Sequence, residues 1–177
     1  MPSRRTPGLF TASIALDADD PRAAQREAWA RWVRIDPAVA PLIGPLGEIL
    51  DASNTGDRAR YRAQLADDLV VEDHRRTGMG RVEGADAYLA SVAAFGELVS
   101  SATAALGWHR PALAPHGALT VARITDTVAA SGGEFESVYL YLFTISRGRI
   151  ARIELFELDA LDAARARFEA LRAGSER

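Results

Sequence analysis

Apolar residues recur along this chain at two periods, and the change from one to the other divides it. Between Pro21 and about Arg34, Ala24, Ala28 and Trp32 fall on one stripe of a 3.6-residue turn, widened by Trp29 and Val33. Asp20-Pro21 supplies an N-cap and a first-turn proline, and Asp36-Pro37 ends the pattern. A second helical stripe, Val39, Leu42, Ile43, Leu46 and Ile49/Leu50, follows, its first turns made irregular by Pro41, Gly44 and Pro45. The turn Ser53-Asn54-Thr55-Gly56-Asp57 then opens a short helix to about Ala66, with Tyr61 and Leu65 inward.

Alternation takes over at Leu69–Asp73. Leu69, Val71 and Asp73 point to one side of that strand, and Val70, Glu72 and His74 to the other. A turn through Arg75-Arg76-Thr77-Gly78-Met79-Gly80 and a short extended Arg81-Val82-Glu83 lead to a third helix bearing Tyr88, Val92, Phe95 and Val99. Four extended runs follow, near 101–113, 118–130, 134–146 and 149–158, separated by turn signals such as Ser131-Gly132-Gly133 and Arg147-Gly148. Asp159 caps a last helix, Ala160 to Arg172, with Leu161, Ala164, Phe168 and Leu171 on its apolar face. Helices followed by a meander make an α+β domain whose sheet wraps around the helices. An N-terminal arm and helix over 1–37 precede a single domain over 38–177.

Composition narrows the chemistry. With 48% hydrophobic and 25% charged residues the 177-residue chain is an ordinary globular one. A net charge of -3 with arginines scattered among acids speaks against nucleic acid as a partner. The absence of cysteine removes thiolate metal sites and a thiol nucleophile, and the three histidines lack helical metal-pair spacing. No metal and no cofactor are expected. Leu9–Leu16 is too short and too polar for a signal core or a membrane span, so the expected location is cytoplasmic and off the membrane.

Asp73 is the residue with the most to offer, because it continues an apolar strand face. Burial disfavours the charged form, so a carboxyl at the floor of a cavity is poised for proton transfer. The competing reading ends the strand at Val71 and leaves the acids in water. His74 next to it can share a proton-transfer step only if the strand twists or ends there. A two-residue Gly132-Gly133 hairpin would pair Ser131 with Glu134, Asp126 with Tyr139 and Ile124 with Tyr141. Ile124, Asp126, Tyr139 and Tyr141 would then share one aromatic face.

The run Leu65-Ala66-Asp67-Asp68-Leu69-Val70-Val71-Glu72-Asp73 is followed by Gly80-Arg81-Val82-Glu83-Gly84-Ala85-Asp86-Ala87-Tyr88. With Arg147-Gly148-Arg149-Ile150-Ala151-Arg152-Ile153-Glu154-Leu155-Phe156 near the end, these words resemble the nuclear transport factor 2-like (NTF2-like) superfamily, in its SnoaL-like and ketosteroid-isomerase-like group. The resemblance covers roughly residues 38–158 and implies a cone-shaped, curved antiparallel sheet wrapped around three helices, with an extra N-terminal helix and a C-terminal one. It makes Asp73 the general base, with Tyr139 where a second oxyanion donor stands and Ile49 where the isomerases carry a tyrosine. It also turns Ile153, Leu155 and Glu157 toward the cavity. In the first meander strand, either Trp108 lines the cone and His109 faces outward, or the reverse.

Two functions follow from that resemblance. One is a small cofactor-independent acid-base enzyme (isomerase, cyclase, dehydratase or epoxide-opening) acting on a hydrophobic oxygenated molecule such as a polyketide-like or terpenoid ketone. Asp73 moves the proton there, with Tyr139 or Asp126 holding the oxygen. The other is a non-catalytic domain that binds a small molecule or a partner. They separate on Asp73: a raised carboxyl pKa fits the enzyme, whereas a salt bridge to Arg75 or Arg81 that depresses it fits the binding module. An apolar outer meander face of Val121, Val138, Leu140 and Leu142 predicts a homodimer.

Overall fold

Capping chemistry sets the helical layer. In the computed structural model, which describes residues 21–97, 103–106 and 112–175, helix α1 (Pro21–Ile35) gives way at Asp36, whose carboxylate accepts a hydrogen bond from the Ala38 N–H. Helix α2 (Ala40–Thr55) is continuous through Pro41 and Pro45, where irregular turns were expected. Pro41 lies in its first turn, where no N–H is needed. Gly56, at φ 70°, ends it in a left-handed conformation that favours glycine. Asp57 then caps α3 (Arg58–Ala63) by accepting from the Arg60 N–H at 3.0 Å.

Strand β1 spans Leu65–Asp73, so the preceding helix stops at Ala63 and not near Ala66. The extra strand residues are claimed by pairing: the Ile150 N–H bonds the Gln64 carbonyl, and Leu65 lies opposite Ile150. Strand β2 (Gly80–Glu83) pairs with β1, and α4 (Ala85–Gly96) follows. The first extended run is two strands, β3 (Thr103–Leu106) and β4 (Ala112–Ala114), both laid against β5 (Gly117–Thr127). Strands β6 (Glu134–Ser146) and β7 (Arg149–Phe156) complete a seven-stranded sheet in the order β2-β1-β7-β6-β5-β3, with β4 also on β5. The sheet is antiparallel except where β1 meets β7, which run parallel. The chain enters α5 (Leu161–Ser175) through a 3-10 turn at Leu158–Ala160.

The β5–β6 hairpin is four residues out of the expected register: Ala122 faces Tyr139 and Asp126 faces Phe135. Its turn is longer than two residues, because the Val128 N–H bonds the Gly133 carbonyl and the Gly132 N–H, with φ 69°, bonds Val128. An even slip exchanges partners but not faces. Ile124, Tyr139 and Tyr141 therefore still look into the cone.

Two cores lie on the two faces. The concave side packs Leu42, Leu46, Ile49, Leu69, Val71 and Phe143 under the helices, and Trp29 joins α1 to the same cluster. On the convex side Leu119, Leu140, Leu142 and Phe156 are sealed by Ala164 and Phe168 of α5, with Val121 packed against them. Leu140, Leu142 and Val121 of the face that suggested a homodimer are thus taken up by the chain's own last helix and the core beneath it, which removes most of the apolar surface behind that expectation.

Candidate functional site

A cavity of about 540 Å³ lies between α2, α3, α4 and the concave sheet face. Its walls are largely apolar: Leu46, Ile49 and Leu50 from α2, Val92 from α4, and Ile124 and Leu155 from the sheet. Tyr61, Tyr88, Tyr139 and Tyr141 add phenols. The hydroxyls of Tyr61 and Tyr88 are 3.4 Å apart, and burial holds the pKa of all four phenols above the ordinary tyrosine value. They are neutral donors at any physiological pH.

At the polar end of the cavity Asp73, its side chain fully enclosed, ends β1. Its Oδ1 accepts from the Arg75 backbone N–H at 3.2 Å and from Arg75 Nε at 2.8 Å. Its Oδ2 accepts from Arg75 Nη2 at 2.7 Å and from the Met79 N–H at 3.1 Å. A carboxylate offers about four lone-pair positions, and four donors fill them. Burial alone would push the carboxyl up. The Arg75 guanidinium, the Met79 and Arg75 N–H groups and the arginine's charge outweigh it and hold the pKa below the usual value. Gly78 makes this possible, since a Cβ there would lie 2.4 Å from Asp73 Cγ. The guanidinium stacks over the Tyr139 ring, 4.4 Å from its centroid.

Of the residues expected at the site, Asp73, Tyr139, Ile124, Tyr141 and Leu155 line the cavity together. The others do not. His74 lies on the opposite sheet face, its Nε2 3.1 Å from Glu154 Oε2 and its ring stacked on Phe156, because strand alternation persists to the end of β1. Asp126 is buried but lies off the cavity wall, where its Oδ1 accepts from the Thr127 N–H at 2.5 Å. The register slip seats it beside Phe135, four residues from Tyr139 along β6. Ile153 is wholly packed in the core, and Glu157 accepts from the Arg76 N–H at 3.1 Å outside the cavity. Trp108 and His109 lie outside the described residues.

Of the two arginines named as salt-bridge partners for Asp73, Arg75 is the one that pairs with it, and Arg81 bonds Glu72 and Glu83. No periodic signal places Arg75, since β1 ends at Asp73 and Arg75 opens a turn in which its carbonyl accepts from the Gly78 N–H at 3.0 Å. Glu72, His74 and Glu154 cluster within 4.8 Å on the convex face, the spacing of a metal ligand set. Arg81, Arg152 and Arg167 already bond their carboxylates, so a cation there would face three guanidinium groups.

A curved sheet closed by helices around an apolar chamber, with one ion pair in its wall, defines a cone-shaped α+β protein. The chain belongs to the SnoaL-like domain family, whose sequence profile matches residues 46–153. A polyketide cyclase candidate from Sinorhizobium meliloti is similar at 27% identity over 63% of this chain and 93% of its own, with a TM-score of 0.51. RV0760c of Mycobacterium tuberculosis, solved in complex with estradiol-17β-hemisuccinate, is 17% identical over 67% and 95%, with a TM-score of 0.57. A protein of unknown function from Burkholderia pseudomallei K96243 is 15% identical over 71% and 97%, with a TM-score of 0.57, and shares the nuclear transport factor 2-like fold. No curated protein matches the chain in sequence. Among the described residues no helix is long and apolar enough to cross a membrane.

Proposed function

We propose that this protein binds a hydrophobic, oxygenated small molecule inside its cone, and that Asp73 is the fixed anchor of the polar wall and not a proton-transfer base. The observation that carries this reading is the saturation of Asp73. Both oxygens are occupied by four N–H donors, and the pKa is depressed, which is the state distinguishing a binding module from an acid-base enzyme. The cavity volume falls in the range of small-molecule sites and the walls are mostly apolar with a few convergent polar groups. The steroid body of the hemisuccinate held by the similarly folded RV0760c supports a hydrophobic, oxygenated ligand.

The acid-base enzyme is the second reading, favoured by one observation: Asp73 and Tyr139 both line the cavity. It requires Arg75 to leave Asp73 during the reaction. A binding and turnover screen against enones, epoxides and polyketide-like ketones, with Asp73→Asn in parallel, separates the two. Binding without turnover is expected. Turnover that is lost in Asp73→Asn while binding survives would overturn the binding-module reading.

A further inference from the structure

We propose that Arg75 is the ligand-recognising residue of the cavity, and that it takes the neutral carbonyl oxygen of a ketone, ester or lactone carried on an apolar body. This deepens the reading above and rests on it. Asp73 cannot itself meet a ligand, since its acceptor positions are full. The guanidinium beside it is only half used. Nε–H and one Nη2–H go to Asp73, while Nη1 and the other Nη2 hydrogen bond no partner among the described residues. Side-on pairing to Asp73 leaves that second edge directed away from the carboxylate, on a residue that lines the chamber. Tyr139 under the guanidinium plane fixes its tilt. Asp73 and the loop N–H groups thus act as positioning groups, and Arg75 presents the free donors.

Charge decides between a carbonyl and an anion. The Asp73–Arg75 pair is neutral as a unit, and Glu157 adds negative charge near the same guanidinium. A carboxylate ligand would leave net negative charge enclosed by apolar walls, which costs desolvation with no second cation to offset it. Arg123, the other arginine on the wall, is exposed and bonds Glu136 at 2.5 Å. A carbonyl oxygen uses the same donors and brings no charge.

The test is competition against the neutral dye N-phenyl-1-naphthylamine, with 2-undecanone and the length-matched decanoate at pH 7.5. Wild-type protein and Arg75→Gln/Asp73→Asn are compared, a pair change that leaves no lone buried charge. Dye binding in the variant reports an intact cavity. The expected result is wild-type preference for the ketone over decanoate and a loss of about tenfold or more in ketone affinity in the variant, with dye affinity unchanged. The carbonyl stretch of bound 13C-labelled ketone is expected at lower frequency in wild type than in the variant. If the double variant does not fold, Arg75→Lys, which keeps the charge and loses the fork, reads the same loss. Dye binding with equal ketone affinity in wild type and variant, or tighter binding of decanoate, overturns the assignment to Arg75 and leaves the cavity reading standing. Failure of dye and ketone alike to bind wild type overturns both.

Discussion

Asp73 and Glu154 stand one position apart on the parallel strands β1 and β7, on opposite faces of the same sheet, and both carboxylates are fully enclosed. Each is matched to arginine, yet the surroundings differ. Glu154 is held from three elements, by Arg152 of β7, Arg167 of α5 and His74 at the end of β1, and α5 seals the apolar face beside it. Among the described residues Asp73 is held only by its own loop, Arg75 and Met79, and it opens on a chamber. A buried ion pair tied across elements and packed on every side fastens the fold. A pair tied within one loop at the edge of a void leaves donors for something not in the chain. That difference is the ground on which the proposed binding site is placed on the concave face, although the convex cluster is richer in titratable groups.

The two faces should respond to truncation unequally. Phe168 is fully buried on the convex side, so Phe168→Ala is expected to cost about 4 kcal/mol by denaturant unfolding. Ile124→Ala, on a wall that already borders empty space, should cost about 1 kcal/mol. Equal costs would erase the contrast between a closed and an open face. Next in size, Glu154→Gln removes the charge that three partners share, and about 3 kcal/mol is expected, with ligand binding unaffected. Loss of binding at constant stability would mean that the convex cluster also serves the site.

Asp73→Asn should cost about 2 kcal/mol at neutral pH, since an amide cannot accept all four N–H groups. The pH dependence has a definite sign. A folded pKa below the ordinary value means that the stabilisation is present above the unfolded pKa of about 4 and is lost as pH falls through the folded pKa. The gap between wild type and Asp73→Asn is therefore expected to narrow in acid, read from urea unfolding between pH 7 and pH 3. A gap independent of pH would show that Asp73 is not held ionised by Arg75.

Much of this arrangement was legible in the chain because it depends on period. Alternation through Leu69, Val71 and Asp73 put the carboxylate on the concave face, and all three are buried there. Helical stripes put Tyr61 and Tyr88 inward. Even the mistaken hairpin register kept Ile124, Tyr139 and Tyr141 on the correct face, because the error was an even number of residues. What period does not encode is which charged group finds which. The capture of Asp73 by Arg75 depends on the path of the 75–79 turn. The retention of Glu157 by the Arg76 N–H depends on packing between residues far apart in sequence. The covering of Leu140 and Leu142 by Phe168 required knowing where α5 docks, and an apolar sheet face reads the same whether a helix or a second subunit lies on it.

The smallest expected effect probes the loop itself. Gly78 has no side chain, and a Cβ placed on it would lie within 2.8 Å of all three atoms of the Asp73 carboxylate. Gly78→Ala therefore has to displace either the turn or the carboxylate. The Met79 N–H bond to Oδ2, at 3.1 Å, is donated by the residue next to Gly78 and should give first. A stability loss of about 1 kcal/mol is expected, with the Asp73 pKa moving up toward its ordinary value as one lowering contact is lost. Carbon-detected NMR titration of the Asp73 carboxyl in wild type and Gly78→Ala reads that shift directly. The convex pair offers the control, since Gly78 does not touch Glu154. An unchanged Asp73 titration with the predicted loss of stability would place the strain in the turn backbone and leave the ion pair intact. A rise confined to Asp73 would establish that the concave pair is built by its loop, as the convex pair is built by the fold.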